Sequence, residues 1–258
     1  MAAVDTTLIQ EKVAQATQIL NELGVDLWLT FARESSMNPD PVLELIGVDV
    51  TWHSAFLLSR KGNHQAIIGY YDAENVRELG AYATVIDYHE GIRDHLLAAL
   101  RQYDPQTIAL NYSENDVSAD GLSHGLYRTL RGYLHGTPYL DRLMSAEQII
   151  AAVRGRKSQT EIERVRRAIE TTESLFHEAE QFARPGLTQR QIAAFVQNRV
   201  DEMGLDYAWP KPFNPIVTCG PHSAVGHAAP GDVVLERGHL LQMDLGIRQN
   251  GYCSDLQR

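Results

Sequence analysis

The apolar positions of this chain keep one rhythm over its first half and another over its second. Ile9, Val13, Ala16, Ile19 and Leu20 recur at helical spacing after Thr6 or Thr7, either of which can cap a helix, and Gly24 stands where that helix should stop. Residues 27–31, apolar but for Thr30, read as a short buried strand. Residues 55–58 and 65–69 flank Arg60-Lys61-Gly62-Asn63, which predicts a hairpin. Helical patterns around 74–79, 92–101 and 121–130 alternate with strand patterns at 82–86 and 107–110. The alternation predicts an α/β N-terminal domain over residues 1–154, a mixed sheet covered by helices. No repeat at solenoid period and no low-complexity tract interrupts it.

The rhythm changes after Arg154-Gly155-Arg156-Lys157, which places a domain boundary between 154 and 155. Ser158 with Glu161 has the form of a capping box and opens a long helix, with Ile162, Val165, Ile169, Leu175 or Phe176, Ala179 and Phe182 as its expected core stripe. Pro185-Gly186 ends it, Thr188 with Gln191 repeats the capping box, and Gly204 stops the second helix. The arginines 164, 166 and 167 alternate with Glu163 and Glu170, which is the pattern of a solvated, mixed-charge face.

The end of the chain carries the chemistry. Asn250-Gly251 lies between two apolar-rich runs, the signal of a hairpin with a type I′ turn. In that register Gln249 faces Tyr252 and Gly246 faces Asp255, so Asp244 and Asp255 share a face on a diagonal, at roughly 7–8 Å along the backbone. A three-residue turn would shift the register and separate them, and paired acids on an exposed hairpin face are the plainer alternative. If both carboxylates converge, their repulsion calls for a cation between them, and a divalent metal is the usual one. Cys219 and Cys253 form no disulfide framework and are expected as buried thiols, with Cys253 turned away from the carboxylates.

Four stretches in order resemble one family. Phe213-Asn214-Pro215-Ile216-Val217-Thr218-Cys219-Gly220, His227-Ala228-Ala229-Pro230, Asp244-Leu245-Gly246 and Gly251-Tyr252-Cys253-Ser254-Asp255-Leu256-Gln257-Arg258 resemble the first half of the catalytic domain of the creatinase, aminopeptidase P, prolidase and methionine aminopeptidase family. The resemblance is close over about residues 155–258 and general over 1–150. It implies part of an α+β pita-bread catalytic domain over 155–258. It also implies a metal-dependent exopeptidase that releases an N-terminal residue at Xaa-Pro bonds in the complete protein. By resemblance Asp244 is the ligand of one metal, Asp255 the carboxylate bridging two, and His227 the histidine that contacts substrate and the developing tetrahedral centre. The implied cofactor is a pair of divalent ions, manganese with zinc or cobalt as alternatives, and the implied assembly a homodimer. The family often uses its N-terminal domain to reach a partner subunit's active site, and Trp52-His53 could serve that way here. A further His and two Glu complete the family's site. They would lie beyond Arg258, so the 258 residues by themselves are expected to be inactive and to bind manganese weakly. The alternative is a catalytically inactive family member that acts as a binding or dimerisation module. Creatinase itself lacks the acidic pair, and methionine aminopeptidases generally lack such an N-terminal domain.

Composition narrows the partners. With 33 Asp and Glu against 23 Lys and Arg the formal net charge is −10, which argues against nucleic acid or an anionic membrane surface as a partner; the peptide substrate is what the resemblance implies. No basic segment precedes an apolar core at the start and no apolar run approaches bilayer length, so a cytoplasmic protein is expected. His53, His64, His89, His95, His124 and His135 are scattered without ligand spacing, and the Pro-rich stretch Ser35–Pro41 is expected as a surface loop.

Overall fold

The computed structural model describes residues 6–224 and 226–258. They fall into two compact units that divide between Ser158 and Gln159. In the first, chain order runs α1 (Thr6–Leu23), β1 (Leu27–Ala32), α2 (Leu43–Ile46), β2 (Ser54–Ser59), β3 (Gln65–Gly69), α3 (Ala73–Glu78), β4 (Thr84–Tyr88), α4 (Arg93–Tyr103), β5 (Ile108–Leu110), α5 (His124–Leu134), β6 (Leu143–Ser145) and α6 (Glu147–Gly155). The strands form a six-stranded mixed sheet in the order β4-β3-β2-β1-β5-β6. The expected hairpin is present, with Ala55 opposite Ile67 and Leu57 opposite Gln65.

Side-chain alternation along β1 sends its residues to two cores. Trp28 and Ala32 join Ile9, Val13, Leu20 and Ile149 on one face, while Leu27, Leu29 and Phe31 join Leu96, Leu100, Leu126 and Leu130 on the other. Helices therefore cover both faces, and every residue of β1, β2 and β3 is buried. The helix α6 and edge strand β6 were not anticipated, and α5 begins at His124, where Ser123 caps it by accepting from Leu126 N at 3.3 Å. Residues 147–158 stay with this unit because the buried Lys12 donates to the carbonyls of Val153 (2.5 Å) and Arg156 (3.0 Å), at the end of α6. A cation there satisfies carbonyls that the helix leaves open.

The second unit contains α7 (Gln159–Phe182), α8 (Gln189–Glu202), β7 (Asp206–Tyr207), β8 (Ile216–Cys219), β9 (Leu241–Leu245), β10 (Ile247–Gln249), β11 (Tyr252–Cys253) and β12 (Leu256–Gln257). Two three-stranded sheets, β11-β10-β7 and β12-β9-β8, share one core of Leu175, Ala179, Ile192, Val196, Val217, Met243, Leu245 and Ile247. Leu175 and Ala179 of the expected α7 stripe are buried, but over the first half of the helix the buried face is rotated: Glu161, Ala168 and Thr172 point inward and Ile162 is 41% exposed. The cause lies in the partner surface, which presents hydroxyls. Tyr252 Oη donates to Glu161 at 2.8 Å, and Thr172 Oγ1 shares a bond with Ser254 Oγ at 2.7 Å. Among the described residues no helix is long and apolar enough to cross a membrane.

Candidate metal centre

Asn250 and Gly251 both take positive φ, 51° and 81°, as a type I′ turn requires. The register is the expected one: Gln249 faces Tyr252 and Arg248 faces Cys253. It persists beyond a break in the ladder, with Leu245 opposite Leu256 and Asp244 opposite Gln257. The break falls at Gly246, where the ribbon passes from one small sheet to the other. A Cβ at Gly246 would lie 2.3 Å from the Trp209 ring and 2.5 Å from the Ser254 carbonyl, so only glycine fits. The side chain of Asn214 takes the place of a neighbouring strand: its Nδ2 donates to the Gly246 carbonyl at 2.7 Å, and its Oδ1 accepts from Gly246 N at 3.5 Å.

This geometry brings the carboxyls of Asp244 and Asp255 within hydrogen-bonding reach of each other. Asp244 sits in the middle strand of its sheet, between Ile216 and Gln257. Its Oδ1 is buried and receives no hydrogen bond among the described residues. Burial pushes the Asp244 pKa up, the negative charge of Asp255 and the contact with its carboxyl push it further, and His227 draws it partly back. Of the three residues singled out from the sequence, Asp244 and Asp255 are paired and His227 lies within electrostatic range of Asp244; Asp244 is half-buried, and Asp255 and His227 are exposed. Among the described residues no three His, Cys, Asp or Glu side chains are assembled around one ion. The donor set still fits a hard cation: two like-charged carboxylates face each other, and one of their oxygens is buried without a donor.

Cys219 is buried as expected, but Cys253 is exposed. Alternation does not set Cys253 apart from Asp255, because positions two apart share parity; it is Ser254 that turns inward, where its Oγ accepts from Ile247 N at 3.0 Å. The sequence reading missed Asn214 and Gln189. The buried amide before Pro215 was legible only as an X-Pro step, and Gln189 looked like one more polar residue in a first helical turn.

Solved peptidases share this fold. An X-Pro aminopeptidase from Thermotoga maritima superposes with a TM-score of 0.60 at 24% identity, over 95% of this chain and 64% of that one. An Xaa-Pro dipeptidase from Bacillus anthracis gives 0.65 at 20% identity, over 97% and 64%. A prolidase from Pyrococcus horikoshii OT3 gives 0.61 at 21% identity, over 96% and 64%. The architecture is therefore the α/β domain and partial pita-bread domain expected from the sequence. Residues 163–258 match the sequence model of metallopeptidase family M24, which bears out the family resemblance. An uncharacterized peptidase from Staphylococcus saprophyticus is 30% identical over 112 residues, 43% of this chain and 31% of that protein. The matched region thus spans about a third of that relative, and the chain spans 64% of the length of the solved structures above.

Proposed function

We propose that this chain belongs to a metal-dependent exopeptidase that removes an N-terminal residue from peptides with proline in second place. The observation that carries the reading is the Asp244–Asp255 pair, with a buried carboxylate oxygen that no hydrogen-bond donor reaches. The M24 match and the likeness to an X-Pro aminopeptidase and an Xaa-Pro dipeptidase support the substrate class.

Asp244 and Asp255 would hold two divalent ions, for which oxygen ligation favours manganese. Bound there, such ions would lower the pKa of a water and polarise the scissile carbonyl. The chain's own part is positional. The type I′ turn and the Asn214 clamp on Gly246 fix both carboxylates in one register, so neither must reorganise when charge arrives. His227, whose charge is felt at Asp244, would donate a hydrogen bond to the oxygen that gains negative charge as the carbonyl becomes tetrahedral.

The test is release of the first residue from a short peptide with proline second and from its alanine counterpart, with metal content measured in parallel on the full protein. Release from the proline peptide that depends on manganese and on Asp255 supports the reading. Equal release by wild type and Asp255→Ala ends it. Bound metal with no release from either peptide would favour a non-catalytic member of the family.

A further inference from the structure

We propose that Gln189 is a positioning residue for His227, its amide clamping both ends of the loop on which His227 stands. The inference rests on the reading of His227 as a group that acts at the reacting centre. Gln189 is the first residue of α8 and is only 4% exposed. A polar side chain in a first turn ordinarily serves the helix end, but here the capping box is complete without it: Thr188 Oγ1 accepts from Gln191 N, and the Gln191 side chain accepts from Thr188 N. The Gln189 amide is directed elsewhere. Its Nε2 donates to Ser223 Oγ at 2.7 Å, and its Oε1 accepts from Gly231 N at 3.0 Å.

His227 lies midway between Ser223 and Gly231 in the sequence. Ser223 is itself tied to the sheet: its Oγ accepts from Cys219 N at 2.7 Å and donates to the Cys219 carbonyl at 2.5 Å. Cys219 ends β8, the strand that pairs with β9 and sets Ile216 opposite Asp244. One chain of hydrogen bonds therefore links α8, the loop and the strand beside Asp244. The His227 side chain is exposed, so its position depends on how firmly the loop ends are held. Backbone bonds from Gln189 N to the Val233 carbonyl and from Arg190 N to the Gly231 carbonyl secure the outgoing end only. The incoming end reaches α8 through the Gln189 amide and Ser223.

Gln189→Met keeps the volume and removes both bonds. In the full protein it should speed amide hydrogen exchange at residues 226–231 roughly tenfold, the scale of one or two lost hydrogen bonds, and leave β9 and α7 unchanged. The His227 imidazole resonance should move or broaden, and kcat should fall with KM and metal content held. Gln189→Glu should restore the hold on the outgoing end only, because a carboxylate accepts from Gly231 N while the single Ser223 proton is already given to the Cys219 carbonyl. Ser223→Ala should reproduce the loosening at the incoming end. Wild-type exchange at 226–231 in a folded Gln189→Met protein overturns the proposal, and so does exchange that rises uniformly over the unit. If neither Gln189→Met nor Ser223→Ala folds, the residue is structural and the proposal falls. Exchange and resonance need no turnover. A loosened loop with His227→Ala still fully active would locate the failure in the role of His227 rather than in the clamp.

Discussion

Two acids, one in each unit, meet opposite treatment. Asp40 in the first unit is 3% exposed, and burial raises its pKa. Its two oxygens nevertheless have donors: Val42 N at 3.1 Å and Asn111 Nδ2 at 2.7 Å. Asn111 also accepts from Trp28 Nε1 at 2.6 Å and donates to Thr30 Oγ1 at 3.0 Å, so a buried polar chain ties the loop after β1 to the sheet. Asp244 in the second unit is raised first by burial as well, but its neighbour is another carboxylate and its Oδ1 has no donor among the described residues. A buried carboxylate supplied with donors strengthens a fold. One left short of donors beside a like charge weakens the fold, and it is the arrangement expected where a cation binds. The first unit spends its buried acid on structure; the second holds its acid ready for a ligand.

The largest effect that sharpens this contrast belongs to Asp255. In the full protein Asp255→Ala should abolish peptide release and metal retention, a loss well beyond the roughly 10–100-fold typical of a group behind the ligands. Turnover assays with metal analysis check it. His227→Ala should come next, with turnover lower by roughly 10²–10³-fold and metal content intact, the scale of losing one group that stabilises a developing oxyanion. Loss of metal in His227→Ala would instead make it a ligand.

The same substitution in the two units should then act with opposite sign. Asp40→Asn should destabilise the first unit by about 1–3 kcal/mol in chemical denaturation, because the amide nitrogen meets a donor, Asn111 Nδ2 or Val42 N, and cannot accept from it. Asp244→Asn should stabilise the metal-free second unit at neutral pH by less than about 1 kcal/mol, since the pair is partly solvated. Both acids have folded pKa values above the unfolded one. Each therefore favours folding most below the ordinary aspartate value and loses that contribution as pH rises through the folded value. For Asp244 the gain of the asparagine variant should shrink as pH falls and wild type takes up its proton. Manganese should remove the gain by stabilising only the wild-type chain. Equal and same-signed effects of the two substitutions would break the comparison.

Much of this was legible from residue order. The spacing of Ile9, Val13, Ala16 and Ile19 gave α1, Thr188 with Gln191 gave the start of α8, and Asn250-Gly251 gave the turn. Each of these signals is local, so the chain nearby is enough to express it. The helix α6 had such a signal in Ile149, Ile150 and Val153 and was passed over; β6 had none, because three residues paired only to β5 show no alternation. The Pro-rich stretch expected as surface conceals Ser35 and Asp40, both buried. Its polar composition suits solvent and a hydrogen-bonded interior equally well.

The sequence by itself located the turn at Asn250-Gly251 and favoured the register that sets Asp244 and Asp255 on a diagonal, and the two positive φ angles there select it over a three-residue turn. Only the tertiary structure decided what that pairing is worth. It brought Asn214 to both polar groups of Gly246 and turned Glu161 and Thr172 of α7 toward the hairpin. It brought His227 within electrostatic range of Asp244 and left one oxygen of that acid without a donor among the described residues. Those contacts join residues far apart in the chain, and their energy depends on burial and on which partners arrive, which no local spacing encodes.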